Sequence, residues 1–145
     1  MALSISTAAR NAACDAVVDL VDGGSGAGVI RIYTGTKPAT PATSASGTLL
    51  AEFTLSDPAF GAASSGAATL DVTPALVDTS ANATGTAGYF RILDSDEAAG
   101  TGLGVVDGTV TATGGGGDLT LNTVAVTSGA EVSITSGVIT MPSGA

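Results

Sequence analysis

The chain has no histidine, no tryptophan, one cysteine and four basic residues against thirteen acidic ones. Each shortage excludes chemistry. Histidine is the usual proton shuttle near neutral pH and the commonest metal ligand, so catalysis and metal binding built on imidazole are ruled out. Polyphosphate contact needs several Lys or Arg side chains. Arg10, Arg31, Lys37 and Arg91 are scattered along the sequence, so nucleic acid is not an expected partner. One cysteine forms no intrachain disulfide. Cys14 lies among alanines beside Asp15, which fits a small buried hydrophobe and not a reactive thiolate. Three Phe and two Tyr are the only aromatics, so the core must rest on Val, Ile and Leu, and a sugar site built on aromatic platforms is not expected.

No run approaches the ~20 apolar residues of a membrane span. The opening MALSISTAAR has neither a basic region nor a long apolar one, so no secretory signal is expected and synthesis is placed in the cytoplasm. The net charge of −9 keeps copies soluble, repels DNA and suits a partner surface with positive charge. A chain of 145 residues has the size of one domain.

Two periodicities organise the sequence. Over 4–22, Ile5, Ala9, Ala12, Ala13, Ala16, Val17, Leu20 and Val21 recur at helical spacing. Ser4 or Ser6 is placed to cap the helix, and Gly23-Gly24 to end it with a positive φ. This alanine stripe is expected to lie against a sheet or a neighbouring copy. Asp15, Asp19 and Asp22 fall opposite it and oppose the helix dipole. Beyond residue 25 the period becomes two. Strands are expected at 29–34, 48–55 (Leu49, Ala51, Phe53 and Leu55 sharing a face), 67–72, 87–94, 105–111, 119–121, 124–126, 131–135 and 138–141. In 87–94, Phe90 and Ile92 share one face and Tyr89, Arg91 and Leu93 the other, which suits a central strand or a contact surface. Residues 75–86 read as turns, 94–97 as a charged turn, and Gly114 to Gly117 as a flexible connection.

The fold class expected is mainly β: an antiparallel jelly-roll-like β sandwich with one N-terminal α-helix, in a single domain of residues 1–145 (helical segment 1–24, sandwich 25–145). Other patterns fail their own tests. The carboxylates at 94–97 lack the spacing of a calcium loop. The glycine run has no Lys-Ser/Thr behind it, so it is no phosphate loop. GTGLG at 100–104 lacks the strand–helix setting of a dinucleotide site. No catalytic residue, cofactor or metal site is expected.

The stretches SISTAARNAACDAVVDLVDGGSGAGVIRIYTGTKP, LLAEFTLSDPAFG and GTAGYFRILDSD, together with DLTLNT and VAVTSGAEVSITS near the C-terminus, resemble the head decoration, or cement, proteins of tailed bacteriophages. The resemblance covers about residues 1–60 and 86–142 and rests on overall pattern, with no catalytic signature. It implies a non-enzymatic virion protein on the outer surface of the capsid. Such a protein binds the major capsid protein, associates with copies of itself as a dimer or trimer, and braces neighbouring subunits. Another virion part, such as a tail-tube, tail-fibre or neck protein, is the alternative. The candidate contact residues are Lys37, Pro38 and Pro41 in the Pro/Ser/Thr loop, Tyr89, Arg91 and Leu93 on the two-faced strand, and the N-terminal stretch.

Overall fold

A computed structural model describes residues 3–143. Alternation of period two builds the protein around two central strands, β1 (Val29–Thr34) and β5 (Gly85–Leu93). They pair antiparallel, with Ile30 opposite Ile92 and Ile32 opposite Phe90. These four side chains are buried on the inner face. β2 (Leu49–Thr54) flanks β1, and β6 (Val106–Ala112) flanks β5. The sheet continues through β7 (Leu119–Leu121) and β9 (Val132–Thr140) to β3 (Ala67–Thr69). β4 (Leu76–Asp78) pairs with β9, and β8 (Ala125–Val126) with β5.

The sheet curls until β4 meets β2. The Glu52 amide donates to the Asp78 carboxylate at 3.0 Å and the Asn82 amide to the Leu50 carbonyl at 2.7 Å. These bonds satisfy an outer edge that would otherwise be open to another chain. The chain is therefore mainly β with an N-terminal helix, and one hydrophobic core runs from Cys14 to Ile139.

Several local expectations change. In β2 a bulge opposite Ile32/Tyr33 inserts Leu50, which becomes fully buried while Leu49 is half-buried. One extra residue turns the alternation over, as bulges do. Residues 76–78, read as turn, form β4 and bury Leu76. Gly137 does not break the last strand. β9 runs straight through it, and Leu70 and Leu119 pack where its side chain would stand.

One pair departs from the expected antiparallel pattern: β6 and β7 run parallel. Parallel neighbours ordinarily need a crossover of a dozen or more residues; here the connection is 113–118. The glycine run makes it, and it is ordered. Gly114 and Gly116 take positive φ, the Gly115 amide donates to the Ala112 carbonyl, and the Gly117 amide to Thr111 Oγ1.

The helix α1 spans Thr7–Asp19, capped by Ser6, whose side chain accepts from the Ala9 amide. It ends at Leu20 in right-handed geometry, so Gly23-Gly24 is not the positive-φ stop. Of the two places expected for the stripe, the sheet receives only its last residue, Val21. Cys14, Val18 and Val21 are buried, and the alanine stripe faces out. The reason lies in the segment beside it. Asn11 and Asp15 on one flank of the helix, and Asp22 in the turn just beyond it, accept from the amides of Gly66, Ala63 and Ala59. The helix thus serves the 59–66 segment as a strand edge would, with side-chain oxygens in place of carbonyls. Meeting those N–H groups is worth more than burying alanine methyls, because an unpaired buried donor costs about 1–3 kcal/mol. Burial raises the Asp22 carboxyl above its usual 3.8, although the Ala59 amide pulls it down.

Candidate contact surfaces

On the outer face of β1 and β5, Arg31 lies opposite Arg91 and Tyr33 opposite Tyr89. The two tyrosine rings stack with centroids 5.2 Å apart. Two loops cover this face. In the first, 35–47, Ser46 is clamped to Tyr89: its amide donates to the phenol oxygen at 3.0 Å, and the phenol donates back to its carbonyl at 2.7 Å. The second holds the short helix α2 (Ser95–Ala99), capped by Asp94, where a turn was expected. Arg31 donates to the Ala98 carbonyl and Arg91 to the Gly102 carbonyl. The Gly104 amide donates to the Pro41 carbonyl and so ties one loop to the other.

Tyr89, Arg91 and Leu93 are therefore interior residues, at 1%, 0% and 0% exposure. Tyr89 and Arg91 shape the surface only through the loops they hold. Of the remaining candidates, Lys37 is exposed and Pro38 and Pro41 are half-buried. Lys37 is the only exposed basic residue among those described. Arg10 donates twice to the Met141 carbonyl, Arg31 pairs with Glu52 at 2.6 Å, and Arg91 pairs with Asp107 at 2.7 Å. The tip that carries Lys37 stands on an anchored platform.

Sequence reasoning missed Asp107, Ser46 and Gly102, which fix this platform. The signal available was Arg91 itself: a guanidinium on the second face of a central strand needs an acceptor, and the cross-strand neighbour supplies it. The Asp107 carboxylate holds the Arg91 guanidinium above its ordinary pKa against the opposing effect of desolvation. Desolvation also raises the Tyr89 phenol above 10.0.

The carboxylates at 94–97 are engaged within the fold. Asp94 accepts from the Glu97 amide, Glu97 from the Thr101 hydroxyl, and Asp96 from the Ser25 amide and hydroxyl. The bonds from Ser25 lower the Asp96 carboxyl below 3.8. Among the described residues, no three acidic or thiol side chains gather in a metal-ligating group. Among the described residues, no helix is long and apolar enough to cross a membrane.

The N-terminal candidate is the one most open to solvent. Ala8, Ala9, Ala12, Ala13 and Ala16 are exposed on the outer side of α1, between Ile5 and Leu20 at 40% and 60% exposure. Asp19 is the one charged side chain on that side. Comparison with known proteins found no matching family model, no matching curated protein and no matching solved structure.

Proposed function

We propose that this chain is a non-enzymatic virion structural protein of the bacteriophage head-decoration type. On this reading it binds the outside of the capsid and stabilises contacts between major capsid protein subunits. The observation that carries the proposal is the outward-facing apolar side of α1. The fold turns Asn11, Asp15 and Asp22, half-buried, toward the 59–66 segment and gives the stripe from Ile5 to Leu20 to the surface. A helix face this apolar suits contact with a protein partner. Asp19 and the surface carboxylates suit a partner with positive charge at its rim, and many identical contacts over a lattice add up to firm attachment.

The finer fold assignment, a jelly-roll-like sandwich, belongs to the same proposal. It is supported by the predominance of antiparallel pairs in a sheet that curls around one core. The experiment is co-sedimentation with purified heads of the encoding phage, stripped of this protein. Saturable binding at a fixed ratio to the major capsid subunit is expected, and Ala12→Glu should abolish it. Retention on tails, with no binding to heads, would overturn the capsid assignment.

A further inference from the structure

The sheet is incomplete at one place. Strand β7 pairs with β6 only from Val110 onward and with β9 only up to Gly137. Before Leu119 the chain leaves the sheet. Among the described residues, the first half of β6, residues 106–108, therefore has β5 on one side and no strand on the other. Residues 138–140 of β9 likewise have β3 on one side only. These two edges face each other across a cleft of about 220 Å³. Where β7 lies, β6 and β9 stand two strand spacings apart, about 9–10 Å, so the cleft is the place of one further strand. Asp118 marks the limit of the filled part: its carbonyl accepts from the Val138 amide and its carboxylate from the Thr109 amide. Below the opening lie Phe90, Val106, Ile139 and Met141, with Val138 exposed at the rim.

The same chain carries a segment shaped for such a place. Residues 3–6 lead into α1 with Ser6 extended, and Leu3 and Ile5 alternate with Ser4 and Ser6. Leu3 is 75% exposed and Ile5 40%. In their own copy they stay outside the cleft, with the Ile5 amide donating to the Ser143 carbonyl. Two apolar side chains two residues apart in an extended arm form one face of a strand. The arm carries no negative charge, so the Asp118 carboxylate at the cleft does not repel it. Its length matches the open edges.

We propose that residues 3–6 of one copy enter the cleft between β6 and β9 of a second copy and complete its sheet. Main-chain hydrogen bonds to the two open edges supply the affinity. Leu3 or Ile5 on the apolar floor fixes the register, as in other strand additions. This assembly does not depend on the capsid reading, because it forms in solution without heads.

Two preparations of the full chain test it, each with Cys14→Ser to remove the native thiol, one carrying Ser4→Cys and the other Val138→Cys, because Ser4 alternates with Leu3 and Ile5 and so shares the outward face of Val138. Mixed and oxidised, they should give a disulfide-linked heterodimer well above what either gives alone. In size-exclusion chromatography with light scattering, the unaltered chain should run as a multimer. Leu3→Asp/Ile5→Asp should run as a monomer with an unchanged melting temperature, since both positions are exposed. A monomeric unaltered chain, assembly that survives the two aspartates, or no gain in disulfide on mixing would each overturn the proposal.

Discussion

Arg91 and Asp107 face each other across β5 and β6 in a two-pronged ion pair, Nε to Oδ1 at 2.7 Å and Nη2 to Oδ2 at 2.8 Å. Neither side chain is more than 1% exposed. The remaining guanidinium arm reaches the Gly102 carbonyl at 3.1 Å, so one residue joins two strands to the loop above them. Removing one partner leaves the other charge buried and unpaired, at a cost of about 3–5 kcal/mol. Asp107→Ala and Arg91→Ala should each lose that much in urea denaturation. The double change Arg91→Met/Asp107→Leu should recover most of the loss, because it leaves no stranded charge. Equal losses for the single and double variants would show that the ion pair and its hydrogen bonds themselves, not merely the avoidance of a stranded charge, hold this layer.

The clamp between Tyr89 and Ser46 gives the first loop a pH limit. The phenol donates to one Ser46 group and accepts from the other, and desolvation raises its pKa above 10.0. A group whose folded pKa is raised contributes stability that is complete below its unfolded value and is lost as pH rises through the folded one. The melting temperature should therefore fall above about pH 10 as the phenolate forms opposite the Ser46 carbonyl. Tyr89→Phe should lower stability near neutrality and flatten that alkaline fall. Thermal melts of both forms across this range, with phenolate absorbance followed in parallel, check it. An alkaline slope unchanged in Tyr89→Phe would assign the loss to another group.

The glycine crossover should be intolerant of side chains where it presses on β6. A Cβ at Gly115 would lie 2.7 Å from Thr111 Cβ, and one at Gly117 would lie 2.9 Å from Thr111 Oγ1. Overpacking of this kind costs typically about 1–3 kcal/mol. Gly115→Ala should therefore lower stability and speed amide exchange in β7, which depends on the crossover for its parallel place. Open space surrounds Gly114 and Gly116. Alanine there should cost only the positive-φ penalty, about 1–2 kcal/mol. A free linker would tolerate all four substitutions equally.

Strand alternation was legible wherever the chain is regular. Ile30 with Ile32, and Phe90 with Ile92, turn inward as period two dictates, and the opposite faces carry Arg31, Tyr33, Tyr89 and Arg91. It failed at Leu50, where a bulge set by the partner strand shifts the phase by one residue, a tertiary fact that no local window contains. The glycine run looked like a linker because a tight parallel crossover and a free hinge share a composition. They differ only in which carbonyls and hydroxyls wait to receive the amides. The two apolar faces of β5 suited a central strand, which it is, or a contact surface; the second remained open because the cover of the outer face, residues 35–47 and 94–105, lies far off in sequence. Helix α1 misled most, because apolar periodicity marks the face worth burying only when no backbone donors compete for the other.

That competition gives the sharpest test of α1. Asn11→Ala would strip the Gly66 amide of its acceptor at 2.7 Å, and Asp15→Ala would strip the Ala63 amide of its own at 2.7 Å. Each should cost about 1–3 kcal/mol, although alanine is the better helix former. On the outer side, Ala12→Glu and Ala16→Glu meet no neighbour that needs them absent and should change stability by no more than about 0.5 kcal/mol. Chemical denaturation of the four variants measures the contrast directly. If the outer substitutions destabilise and the inner ones do not, the helix lies the other way round, with its alanines against the sheet. If the contrast holds, Ala12→Glu becomes a clean probe of partner contact, because any binding it removes is lost from a protein as stable as the original.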